Sequence, residues 1–167
     1  MLQPVVRRTW GLRGQTPILE QYERHDRISA ISAITVSPLR RRLGLYWDLR
    51  RRNICGEDIV AFLGWLRRSL RRRLVLIWDR WSVDKALAVR EYMKRCGGAI
   101  VVEWLPSYAP ELNPAEQVWN HTKYSDLANH SPDDWDTLES AVNFSLYEQS
   151  TQCHLLRSFF KTAGLDL

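Results

Sequence analysis

Two short apolar runs separated by a helical stretch constrain this chain more than anything else in it. Leu74–Trp78 (LVLIW) and Ile100–Leu105 (IVVEWL) have the length and continuous apolar character of buried strands. Between them Val83–Cys96 carries a helical pattern that Gly97-Gly98 stop. A strand followed by a helix and a second strand predicts two parallel neighbours with the helix on one face. Upstream, Arg27–Ser37 (RISAISAITVS) alternates small or polar residues with isoleucine and valine, which predicts a strand. Pro38 ends it, Arg40–Arg42 supply a turn, and Leu43–Asp48 (LGLYWD) reads as its antiparallel partner. One antiparallel hairpin and one parallel pair make a mixed sheet in an α/β chain.

The helices fill the remainder. Glu57–Arg72 has apolar residues at Ile59, Val60, Phe62, Leu63, Leu66 and Leu70, a helical period. Its arginine-rich last turn complements the negative end of the helix dipole. After the second apolar run comes a loop with Pro106 and Pro110, and Pro114 then stands where a first helical residue is favoured. Asp133–Gln149 and His154–Ala163 complete the helical set. Residues 1–26 read as irregular or hairpin-like, with turn signals at Gly11, Gly14 and Pro17.

At 167 residues the chain has the size of one domain. It has no apolar run near the roughly 20 residues that span a bilayer. MLQPVVRR at the start lacks the apolar centre of a signal peptide, so an intracellular chain, cytoplasmic (nucleoid-associated if bacterial) and with no membrane partner, is expected. Cys55, Cys96 and Cys153 are odd in number and lack zinc-ligand spacing, so they read as free thiols. Charge is unevenly placed: residues 1–80 hold 17 basic against 7 acidic residues, while 81–167 hold 7 against 12. Twenty of the 24 basic residues are arginine, with runs at Arg40–Arg42, Arg50–Arg52 and Arg67–Arg73. The planar guanidinium pairs with phosphate oxygens, which suits a nucleic-acid backbone, although a solvated face would look the same.

Two carboxylates stand where chemistry could occur. Asp79 follows the first apolar strand, and in open α/β sheets reactive groups gather beyond the carboxyl ends of strands. There a carboxylate can hold a hard divalent cation or, as readily, cap a turn. Glu116 falls at the third helical position after Asn113, so the local pattern N-x-x-E predicts a capping box with the glutamate turned back on the chain.

A longer motif weighs against that local reading of Glu116. Leu105-Pro106, Tyr108, Pro110, Leu112-Asn113-Pro114, Glu116 and Trp119 resemble the DDE catalytic domain of mariner-like and related bacterial insertion-sequence transposases nearly residue for residue. Thr9–Pro17 (TWGLRGQTP) is similar to the segment after that family's first catalytic aspartate, and Asp79-Arg80 to the second aspartate and its neighbour. Thirty-six residues separate Asp79 from Glu116, close to the family spacing. The resemblance implies a ribonuclease-H-like mixed sheet with flanking helices, entered after its first strand. It also implies a single partial catalytic domain over residues 1–167 without the DNA-reading helix-turn-helix. By the same likeness Asp79 and Glu116 would be catalytic ligands of a Mg²⁺ or Mn²⁺ pair. Arg40, Arg41, Arg42, Arg80 and Tyr108 would contact DNA, and Asn113, Pro114 and Trp119 would shape the loop. Transposon ends and target DNA, and a possible homo-oligomer, are the implied partners.

Three departures qualify the likeness. Residues 1–9 contain no acid where the family's first aspartate would fall; Asp26 and Asp48 are candidates to substitute. Asp84 stands where the family often has histidine. No segment has the bihelical pattern of a helix-turn-helix. The expected activity of the chain as given is therefore very low, and a relic that only binds DNA or the intact transposase, or a stand-alone ribonuclease-H-like nuclease, remain alternatives. Trp47, Trp78 and Trp104 are expected in the core, His121 and His130 at the surface, and Trp81 with Tyr108 beside the site.

Overall fold

The computed structural model describes residues 8, 13–14, 28–79, 86–107, 109–130, 132 and 134–167. Strands β1 (Ser29–Val36) and β2 (Leu43–Arg50) pair antiparallel through their full length, from Ser29 opposite Arg50 to Val36 opposite Leu43. The hairpin turn is closed by the Ser37 N–H on the Arg42 carbonyl at 2.9 Å, and Ser37 Oγ accepts the N–H groups of Arg41 and Arg42. Arg40 makes the turn possible by adopting a left-handed φ of 53°.

Helix α1 (Gly56–Leu70) begins one residue before the expected start and ends two residues short of the expected Arg72. It stops because Arg71 turns left-handed and donates its N–H back to the Arg67 carbonyl at 2.8 Å. Its buried side is Ile59, Phe62, Leu63 and Leu66, the stripe that the period predicts. Strand β3 (Leu74–Trp78), helix α2 (Leu87–Arg95) and strand β4 (Ile100–Trp104) form the right order for a crossover, and β3 and β4 pair in parallel. Gly56 allows α1 and α2 to close up: a Cβ there would come within 2.7 Å of Ala86 Cβ.

Helix α3 (Pro114–His121) runs into a π-helical turn at Thr122–Asp126, and α4 (Trp135–Thr151) and α5 (Cys153–Thr162) follow. Asp134 caps α4, its Oδ1 accepting the Thr137 N–H at 2.7 Å, so the helix begins after the expected Asp133.

The helices divide between two cores. Against the hairpin, α3, α4 and α5 bury Ile28, Leu45, Val118, Leu138, Val142, Leu146, Leu156 and Phe159. Against the parallel pair, α1 and α2 bury Ile54, Ile59, Leu63, Val89, Cys96 and Ile100, and Ile31 of β1 reaches this second cluster. Among the described residues no ladder joins the two pairs, so the expected mixed sheet consists of two two-stranded pieces with no described strand between them. The full burial expected of β3 and β4 holds for one face. Leu74, Leu76 and Trp78 face the α1–α2 core, while Val75 and Ile77 are 69% and 64% exposed, because α1 and α2 cover the same side. Trp104 departs from the expected core position in the same way: it is half exposed and stacks on Trp78, ring centroids 5.9 Å apart. Trp47 is partly buried and donates from Nε1 to Asn143 Oδ1 at 2.9 Å.

Candidate active site and its relatives

The parallel register brings the carboxyl ends of β3 and β4 side by side. Trp78 lies opposite Trp104, and the Leu105 N–H continues the ladder onto the Trp78 carbonyl at 2.8 Å. Asp79 is the next residue after Trp78 and is half-buried, so it sits at the strand end as the sequence predicts. From the end of β4 the chain passes through a 3₁₀ turn at Pro110–Leu112 to α3. Pro114 stands at the first helical position, where its missing N–H costs no helical bond.

That turn decides what Glu116 does. In a capping box the third-position carboxylate would accept the N–H of the cap residue. Here the Asn113 N–H is taken by the Pro110 carbonyl at 3.0 Å, and Asn113 Oδ1 accepts from the Ala115 N–H at 3.1 Å rather than from Glu116. The predicted reciprocal box is therefore not made at α3. It is made instead at α1, where Asp58 Oδ2 accepts the Cys55 N–H at 2.9 Å. Glu116 is half-buried; its N–H donates to the Asn113 carbonyl at 3.0 Å, while its carboxylate makes no hydrogen bond among the described residues. Burial pushes its carboxyl above the usual carboxylate range, and the negative charge of Asp79 pushes it further. Two carboxylates with thirty-six residues between them in sequence are thus electrostatically coupled in the fold.

Carboxylate oxygens of this kind suit a hard divalent cation. The donors are carboxylate oxygens, and a cation between them would relieve both the repulsion and the desolvation of Glu116. Among the described residues no third His, Cys, Asp or Glu joins them. Asp48, one candidate to complete the set, is held by Arg50 Nη2 at 2.7 Å on β2. Asp26, Asp84, Arg80, Trp81 and Tyr108 lie outside the described residues.

The remaining predicted residues separate. Arg40 donates from Nη1 to the Asp166 carbonyl at 3.4 Å, and Arg157 Nη2 donates to the Arg40 carbonyl at 2.9 Å, so the partners of Arg40 lie in α5 and the C-terminal tail. Arg41 and Arg42 are exposed in the same turn. Trp119 packs against the first core beside Val118, tying α3 down. His121 and His130, expected at the surface, are half-buried: His121 packs on Phe159 and reaches Asp126 at 3.4 Å. Sequence reasoning passed over Asp58, which is buried and fixes the Arg52 guanidinium through two bonds of 2.7 Å. Its signal was the Cys55-x-x-Asp58 spacing at a helix start.

No helix among the described residues is long and apolar enough to cross a membrane. A comparison with curated protein sequences gives no match. Solved structures of Mos1 transposase share the fold. A strand transfer complex matches 98% of this chain and 47% of its own at 14% identity, with a TM-score of 0.60. A paired-end complex with left transposon end, and a mariner paired-end complex with Mn, each match 98% and 48% at 14% identity, with TM-scores of 0.63. The chain spans about half the length of these structures, and the likeness identifies its fold as ribonuclease-H-like. A profile described as DDE superfamily endonuclease matches residues 1–139, and with that match the chain belongs to the DDE superfamily endonucleases.

Proposed function

We propose that Asp79 and Glu116 are two metal-binding carboxylates of a transposase catalytic centre that cuts and joins DNA at transposon ends. The observation that carries the reading is the state of Glu116: half-buried, released from its cap, and raised by burial and by Asp79. Mos1 neighbours in complexes with transposon-end DNA and with Mn support the choice of substrate and of Mg²⁺ or Mn²⁺. When bound, such an ion pair activates the attacking oxygen and neutralises charge on the leaving oxygen of a phosphodiester. The chain's own part is to hold two oxygen donors at fixed places, Asp79 by the end of β3 and Glu116 by the first turn of α3. Pro114 and the Asn113 cap fix the direction of that turn.

Two carboxylates hold a metal pair less well than three, so the 167-residue chain alone binds Mn²⁺ weakly and does not nick DNA. A non-catalytic chain that only binds DNA or an intact transposase is the second reading, favoured by the lack of a third ligand among the described residues. Mn²⁺ binding followed by electron paramagnetic resonance, beside nicking of supercoiled plasmid in Mg²⁺ or Mn²⁺, tests both. Bound Mn²⁺ should be lost on Asp79→Asn and on Glu116→Gln, with plasmid intact throughout. Equal Mn²⁺ uptake by all three proteins overturns the metal assignment. Nicking that Asp79→Asn abolishes overturns the inactivity of this chain and points to a recruited carboxylate such as Asp26.

A further inference from the structure

The three arginine runs look alike in sequence and are treated differently by the fold. Arg50, Arg51 and Arg52 are consumed internally: Arg50 pairs with Asp48, Arg51 with Asp136 and Glu139, and Arg52 with Asp58. The run at 67–73 is left open. Arg67 donates to Cys96 Sγ at 3.1 Å and is held by Tyr92. Arg68, Arg71, Arg72 and Arg73 are exposed and meet no carboxylate among the described residues.

These four arginines line one open groove of about 790 Å³ together with Arg67 and Tyr92 and the small or apolar residues Val60, Ala61, Gly64 and Ala99. Arg68 and Tyr92 meet over Gly64: a Cβ there would lie in ordinary contact with Arg68 Nη1 at 3.4 Å and with the Tyr92 hydroxyl at 3.6 Å. The left-handed turn at Arg71 reverses the chain at the end of α1, so arginines before and after the turn face one space. Four unpaired cations so close together repel one another, and a polyanion is the partner that relieves this.

We infer that the groove between the C-terminal end of α1 and the start of β4 is a second nucleic-acid site, binding backbone phosphates of duplex DNA. The choice of DNA over another polyanion rests on the function proposed above; the anion site itself does not. Arg73 precedes β3 and Asp79 follows it, so six residue steps along the strand put Arg73 roughly 20 Å from Asp79. The groove therefore grips phosphates other than the one reacting at Asp79, and it needs no metal to do so. Arginine forks take phosphate oxygens in pairs, and Tyr92 offers a hydroxyl at the floor.

The test is anisotropy of a fluorescent duplex with the whole chain, in EDTA, across a salt series. Wild type should show a steep fall of affinity with salt. The triple variant R68A/R72A/R73A, which leaves the left-handed Arg71 in place, should lose about tenfold or more in affinity. Its salt slope should fall by about 0.9 for each phosphate contact removed. An unchanged slope overturns the inference. Arginine modification by phenylglyoxal, mapped by mass on the wild-type chain, needs no variant: duplex should protect Arg68, Arg72 and Arg73, and protection confined to Arg40–Arg42 overturns it. Polyglutamate that competes as well as DNA at equal charge overturns the nucleic-acid assignment in favour of an acidic protein. Because binding is read without divalent metal, loss of the Asp79–Glu116 reading would leave this result standing, and the reverse.

Discussion

Replacing Thr122 by valine should destabilise the protein through a hydroxyl that is entirely buried. Thr122 follows α3 directly and lies six residues beyond Glu116, so it anchors the helix that carries the proposed ligand. Gln149 Nε2 donates to Thr122 Oγ1 at 2.7 Å and to Ser145 Oγ at 3.1 Å. Ser145 Oγ lies 2.7 Å from Asp126 Oδ2 and 3.0 Å from Thr122 Oγ1. A serine has one proton, and the carboxylate is its stronger acceptor, so the Thr122 hydroxyl is left to donate to Ser145. Valine keeps the shape and removes the acceptor. One N–H of Gln149, a side chain 1% exposed, then has no partner, which costs about 1–3 kcal/mol. The added methyl returns about 0.8 kcal/mol. The net loss is about 0.2–2 kcal/mol, or a Tm lower by up to about 8 °C for a chain of this size. Urea unfolding read by tryptophan fluorescence measures it. Gln149→Leu in the Thr122→Val background should recover about 1 kcal/mol of the sum of the two single losses, because removing both partners of a buried bond is cheaper than removing one. Simple additivity of the two substitutions, within about 0.3–0.5 kcal/mol, would refute the coupled network.

The other stability predictions follow from the cores and from α1. Leu146→Ala, at a site with 0% exposure in the first core, should cost about 3 kcal/mol by calorimetric or urea unfolding, and a loss below about 1 kcal/mol would mean that α4 is not packed as described. The Arg52 guanidinium holds the Asp58 carboxyl well below the usual carboxylate range against the opposing effect of burial, with the Cys55 N–H adding to it. A depressed folded value means that this stability is fully present above the unfolded carboxylate range, about pH 4, and is lost as pH falls through the folded value. Urea midpoints should therefore drop steadily below about pH 4, and Asp58→Asn should flatten that part of the profile; an identical slope in the variant would exclude Asp58 as its source.

Much of this fold is written in local pattern, and the exceptions have physical causes. The hairpin, the parallel pair and the stripe of α1 follow from periods of two and 3.6 along the chain, and all stand where the pattern puts them. Helix ends were less legible because they depend on single backbone choices, such as the left-handed turn at Arg71. Exposure of Val75 and Ile77 was illegible, since a five-residue apolar run carries no mark of which face the helices will cover. At the site the local rule misled. N-x-x-E predicts a capping box at Asn113, but the Pro110 carbonyl takes the N–H that the box requires, a bond set by the prolines of the preceding loop. The arginine runs show the same limit: charge along the sequence cannot say which guanidinium groups find carboxylates that are distant in the chain, as Arg51 finds Asp136 and Glu139.

Those two results together give β3 an electrical direction. At its amino end stand four exposed arginines that meet no carboxylate among the described residues, and its carboxyl end runs into Asp79, whose negative charge helps to raise the Glu116 carboxyl. A phosphodiester chain approaching such a surface is drawn to the first pole and repelled by the second. Over a separation of roughly 20 Å, about two and a half Debye lengths at physiological salt, each pole acts almost independently. Attraction at the arginine groove therefore cannot by itself carry a phosphate to Asp79. That approach requires the charge at the carboxylates to be neutralised, which one divalent cation does and one monovalent cation does not. Metal should thus change where DNA sits on this chain more than how tightly it is held. If so, Mn²⁺ should extend phenylglyoxal protection or cross-linking toward the Asp79 end while leaving the protection of Arg68, Arg72 and Arg73 as it is.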